Sequence, residues 1–114
     1  MMAPSVVLRD GQVELVLGSA GSNRIRSALL QTIVGVVDHG MLAREAVEAP
    51  RVHFEDGIVY HEPGIEVEQL GSERGVVAFG SRNLFFGGVQ AVQLRDGRLT
   101  GAGDPRRGGV AVSL

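Results

Sequence analysis

A chain of 114 residues has the length of one domain, residues 1–114, and a domain this short buries roughly two thirds of the surface of its unfolded chain in one modest core. Its 44% apolar and 21% charged residues exclude a disordered chain, and a net charge of −2 with a pI near 5.9 provides no general attraction for nucleic acid or anionic lipid. Cysteine is absent, which removes disulfides, thiolate catalysis and sulfur-ligated metals, and no apolar run reaches the ~18 residues needed to span a bilayer. All 11 basic residues are arginine, and the 17 glycines signal tight turns and close backbone approaches.

In chain order, Ser5-Val6-Val7-Leu8 and Gln12-Val13-Glu14-Leu15-Val16-Leu17 flank Arg9-Asp10-Gly11, the strongest short-range hairpin signal. The second strand feeds a glycine turn over residues 18–22. From an N-cap at Ser22 or Asn23, the spacing of Ile25, Ala28, Leu29, Ile33, Val36 and Val37 predicts an amphipathic helix that Gly40 ends. Residues 42–49 read as a second short helix stopped by Pro50. Asp-Gly recurs at Asp56-Gly57, between strands at 51–54 and 58–61, and at Asp96-Gly97, between strands at 89–94 and 98–100. A short helix is expected within 62–75, then a strand at 76–79 and a closing strand at 110–112. Strands, then helices, then strands again predict an α+β fold, a mostly antiparallel sheet with helices on one face.

The strand, glycine turn and helix start over residues 16–25 concentrate the chemistry. First-turn N–H groups of a helix lack internal acceptors and sit at the positive end of its dipole, so such a junction suits an anion. The same glycines also serve a plain strand-to-helix connection. The spacing does not match a phosphate-binding P-loop, which ends in Gly-Lys-Ser or Gly-Lys-Thr. Arg24 and Arg26 lie near the same helix start, where a guanidinium would help to hold an anion or would simply be solvated. His39, His53 and His61 are too scattered for a zinc site, and no metal or other cofactor is expected. Glu45 and Glu48 read as a solvated helix face. Phe85-Phe86-Gly87-Gly88 reads as strand-borne core with a close backbone approach, one aromatic pointing away toward a partner surface. Asp104, opening Asp104-Pro105-Arg106-Arg107, reads as the cap of a rigid turn.

Taken together, these segments resemble the C-terminal part of the small subunit of the γ-glutamyltranspeptidases. The resemblance rests on Met2-Ala3-Pro4, Leu17-Gly18-Ser19-Ala20-Gly21-Ser22-Asn23-Arg24-Ile25, Glu45-Ala46-Val47-Glu48-Ala49-Pro50-Arg51, Phe86-Gly87-Gly88-Val89 and Gly101-Ala102-Gly103-Asp104-Pro105-Arg106-Arg107, in family order along the whole chain. It implies part of an αββα N-terminal-nucleophile hydrolase sandwich, in which a precursor cuts itself to expose a threonine. That threonine, activated by its own α-amine, attacks a γ-glutamyl amide, and water or an acceptor amino acid or peptide completes the transfer. The family's oxyanion donors, two successive backbone N–H groups, fall on Gly21 and Ser22, with Gly18, Ser19 and Arg24 as candidate substrate-binding residues. Ser22 stands where many members have a second glycine, and Met1 occupies one place of a paired-serine feature.

The resemblance places the nucleophile upstream of these residues, and the arginine that binds the substrate α-carboxylate on the other subunit. Thr32 and Thr100 fall inside a helix and a strand, so neither offers a free α-amine. The chain alone is therefore expected to be inactive, with the remaining enzyme subunit as its partner. The alternative is a stand-alone structural or binding domain that covers its open faces by self-association, and a third reading is a simple anion-binding module. Relatives in bacteria are often periplasmic or secreted.

Overall fold

The computed structural model describes residues 3–66 and 75–114. Three Asp-Gly pairs organise it. Asp10 and Gly11 have φ of +51° and +78°, Asp56 and Gly57 +52° and +77°, and Asp96 and Gly97 +53° and +74°. Two successive positive φ angles are what a type I′ turn requires, and its twist matches that of the flanking strands. Each pair closes a hairpin: β1 (Ser5–Arg9) with β2 (Gln12–Ala20), β3 (Val52–Glu55) with β4 (Ile58–His61), and β6 (Gly88–Arg95) with β7 (Arg98–Gly103).

The first and third hairpins join through antiparallel β2 and β6 into a four-stranded sheet ordered β1-β2-β6-β7. The middle hairpin forms a separate sheet, in which β5 (Gly75–Ala78) runs parallel to β4. Thus the α+β architecture holds, with two sheets where one was expected. The helix expected within 62–75 falls largely on residues 67–74, outside the described residues.

Between the hairpins lie α1 (Ile25–Val37), entered through a 3-10 turn at Ser22–Arg24, and α2 (Ala43–Glu48). Ile25, Ala28, Leu29 and Val36 of α1 and Ala43, Ala46 and Val47 of α2 pack on Leu15, Leu17, Val89, Ala91 and Ala102 of the large sheet. The 3.6-residue period of one surface meets the two-residue period of the other, and this is the core. Gly40, at φ +65°, follows the end of α1, and the Glu45 carboxylate accepts the Leu42 N–H at the start of α2. Neither Ser22 nor Asn23 caps α1 with its side chain, contrary to expectation. Ser22 is spent on the turn itself and the Asn23 amide reaches Glu55.

The opposite face of the large sheet carries a row set by register, Val6 opposite Val16 opposite Val92, all exposed. The expected closing strand at 110–112 does not form. Instead the tail crosses the face of β7: a Cβ on Gly101 would lie 3.0 Å from Ala111 Cβ, and one on Gly103 would collide with the Val110 backbone. Glycine here makes room for chain on top of the strand, so the tail packs over the face of β7 instead of adding to its edge. Among the described residues no helix is long and apolar enough to cross a membrane.

Candidate functional site

β2 runs three residues further than its sequence pattern suggests. Gly18, Ser19 and Ala20 pair with Gln90, Val89 and Gly88, so Gly18 and Ser19 are strand residues and the turn begins only at Gly21. Gly21 takes φ +124° and ψ +23°, and Ser22 takes φ +56°. The Gly21 carbonyl accepts the Arg24 N–H at 3.0 Å, closing the 3-10 turn. The Gly21 and Ser22 amides themselves donate to no loop carbonyl or side chain among the described residues. Two consecutive free N–H groups thus precede α1, the arrangement that receives an anion at a helix start.

The turn is held tightly from the side of β6. A Cβ on Gly21 would stand 2.8 Å from the Gly87 Cα, and one on Gly87 would stand 3.0 Å from the Ala20 carbonyl oxygen, so both glycines are required by space as well as by positive φ. Ser19 Oγ donates to the Ala20 carbonyl and accepts from the Gly88 N–H, tying β2 to β6 beneath the turn. Arg24 donates from Nε to the Phe85 carbonyl, and its guanidinium lies 4.4 Å from the Phe85 ring centroid. Arg26 is exposed. A cation that sequence reading missed, Arg107, lies beside the turn: its Nη2 is 3.8 Å from where a Gly21 Cβ would stand.

Behind this loop sits a buried four-charge network, also missed. Arg51, Glu62, Asp104 and Arg106 are each at most 7% exposed. Arg106 grips the Glu62 carboxylate with Nε and Nη2 at 2.8 and 2.6 Å, while Asp104 meets Arg51 Nη2 at 2.8 Å and Arg106 Nη1 at 3.2 Å. The remaining capacity is nearly filled by backbone. Glu62 accepts the Arg51 and Asn83 N–H groups, and Asp104 accepts those of Val89 and Arg106. The arginines donate to the Val47 and Ala49 carbonyls at the end of α2 and to the Phe86 carbonyl.

Burial alone would push both carboxyls up. For Glu62 the Arg106 guanidinium and the Asn83 and Arg51 N–H groups outweigh it; for Asp104 the Val89 N–H, Arg51 and Arg106 do, so both lie below their ordinary range. Burial, reinforced by Arg106, lowers Arg51. For Arg106 burial is overcome by Glu62 and Asp104, and its value rises. The expected cap at Asp104 is present, as one part of this larger role. The sequence signal was a repeated pair, Pro50-Arg51 and Pro105-Arg106.

His53 is 5% exposed, with Nδ1 2.6 Å from Ser27 Oγ and Nε2 3.2 Å from the Glu55 carboxylate. His61 bonds the Glu62 carbonyl. Glu48 pairs with Arg44 on the solvent side. The adjacent Phe85 and Phe86 belong to a 3-10 turn (Leu84–Phe86), not a strand, so their side chains need not face opposite ways. Both join an aromatic cluster, with Phe79 5.1 and 4.9 Å from their rings and Tyr60 4.9 Å from Phe85.

Comparison with known proteins bears on this arrangement. The chain is 40% identical over 99% of its length to the acylase ACY 1 proenzyme of Pseudomonas sp. (strain SE83), of which it covers 21%, and 35% identical over 96% to glutathione hydrolase proenzyme 1 of Schizosaccharomyces pombe, of which it covers 18%. It spans about a fifth of the curated relatives it matches. The γ-glutamyltranspeptidase of Pseudomonas nitroreducens complexed with L-DON superposes with a TM-score of 0.79 at 30% identity, covering 99% of this chain and 62% of that one. The transpeptidase enzyme CapD of Bacillus anthracis gives a TM-score of 0.82 at 33% identity, covering 99% and 70%. Since the family model for gamma-glutamyltranspeptidase matches residues 1–114 without remainder, and these solved structures superpose over 99% of its length, the chain belongs to the γ-glutamyltranspeptidase family.

Proposed function

We propose that this chain supplies the oxyanion turn of an enzyme that transfers or hydrolyses γ-glutamyl groups, with the threonine nucleophile on a segment outside these 114 residues. The observation that carries the reading is the pair of successive unengaged amides at Gly21 and Ser22, fixed between β2, Gly87 and α1 in a member of this family. When a nucleophile adds to a γ-glutamyl amide, the carbonyl oxygen gains charge that two aimed N–H groups stabilise, each worth about 3–4 kcal/mol in the transition state. Because the donor is backbone, serine at position 22 keeps the chemistry wherever it holds φ +56°. Gly18, Ser19 and Arg24 belong to this proposal as the substrate-facing surroundings of the turn, and water or an acceptor amino acid completes the reaction. Names of the relatives speak of proenzymes, which fits a nucleophile released by cleavage upstream.

The test is a γ-glutamyl-p-nitroanilide assay in two arms. The isolated chain gives no turnover, whereas the Pseudomonas nitroreducens enzyme with this chain in place of its matching segment gives turnover. Activity in the isolated chain, or a folded but dead chimera, contradicts the proposal. A second reading, a domain that self-associates, draws on the exposed Val6, Val16 and Val92 row.

A further inference from the structure

One face of α1 is tied to β3 by polar contacts that the chemistry above leaves unused. Asn23 Nδ2 donates to Glu55 Oε1 at 2.8 Å, Ser27 Oγ meets His53 Nδ1 at 2.6 Å, and Gln31 bonds Val52 twice, donating to its carbonyl at 2.7 Å and accepting its N–H at 3.0 Å. Asn23 stands in the 3-10 turn that enters the helix, and Ser27 and Gln31, four residues apart on α1, continue the same side, so the three contacts follow one line from the turn along the helix. The rungs are cross-linked: His53 Nε2 lies 3.2 Å from Glu55 Oε2, and Gln31 Nε2 also donates to the Ser27 carbonyl. His53 has one consistent neutral arrangement, donating from Nε2 to the carboxylate and accepting the Ser27 hydroxyl at Nδ1. The Asn23 bond is also the first cause holding the Glu55 carboxyl below its ordinary range, followed by His53.

We infer that Asn23, Ser27, His53 and Glu55 are positioning residues for the oxyanion turn: the ladder fixes the direction in which the Gly21 and Ser22 amides point. The inference rests on the function proposed above. Asn23 follows Ser22 directly, and the opposite flank is held by Gly87 and by Arg24 on Phe85. The turn is therefore clamped by β3 on one side and by the 3-10 turn before β6 on the other. Release of the β3 side would let Ser22, strained at φ +56°, relax and turn its amide away.

The experiment uses the ¹⁵N-labelled 114-residue chain titrated with inorganic phosphate. The Gly21 and Ser22 amide resonances shift saturably. Asn23→Ala and Ser27→Ala each weaken that binding about fivefold with the rest of the spectrum intact, and Ser27→Thr, which keeps the hydroxyl, restores it. Variants that titrate like the parent overturn the inference and leave the oxyanion reading standing. If phosphate moves neither amide in the parent, the oxyanion reading falls. Amide hydrogen exchange across Ser22–Arg24 then judges the ladder separately: about fivefold faster in Ser27→Ala supports it, and no change overturns it.

Discussion

Ser22 holds a backbone conformation that costs a non-glycine residue about 1 kcal/mol or more. Ser22→Gly removes that strain and returns conformational freedom to the unfolded chain, two effects of similar size and opposite sign. Its stability by urea denaturation should therefore change by less than about 1 kcal/mol. Gly21→Ala should cost several times more, since its Cβ meets the Gly87 Cα. Glu62 presents a different balance. Glu62→Ala removes the two-point partner of the buried Arg106 guanidinium and leaves it only the 3.2 Å contact to the Asp104 carboxylate, and a loss of about 3–5 kcal/mol is expected in the same measurement. Glu62 and Asp104 both have lowered carboxyl values in the folded chain, so their contribution is present above the unfolded value near 4 and is lost as pH falls through the folded values. Thermal melts should show the midpoint dropping below about pH 4, with a shallower drop in Glu62→Gln.

Elements differ in how much of them a sequence can display. The three Asp-Gly hairpins and α1 were legible because their signals are local: positive φ in successive turn residues, and an apolar stripe at helical spacing. β2 was underestimated because Gly18 and Ser19 look like turn residues and are made strand only by pairing with β6. The tail was misread for a related reason, since Val110-Ala111-Val112 has strand composition but lies over the glycines of β7. Gly103→Val should displace that tail and leave β7 paired, so limited proteolysis should cut residues 108–114 faster in the variant. The charge network was illegible because Glu62 and Arg106 stand 44 residues apart and only the fold joins them. Of the site, Gly21 and Ser22 were placed by resemblance to a family, whereas Arg107 and the ladder to β3 emerge only in three dimensions.

For the whole molecule, one face of the large sheet covers the helices' core and the other exposes Val6, Val16 and Val92, with Val6 at 57%. An apolar row of this kind is covered in a longer protein or by another copy. The isolated chain should accordingly elute above its monomer mass in light scattering, and Val16→Glu with Val92→Lys should bring it to the monomer. Both the positive charge near the turn and the clamped glycines matter functionally only if the two amides meet a developing oxyanion. The most direct measurement replaces the Ser22 N–H by an ester oxygen, by semisynthesis, within the active chimera, and follows γ-glutamyl-p-nitroanilide turnover. A fall in kcat of about 10²–10³-fold with KM little changed is predicted, and an unchanged kcat would contradict the account.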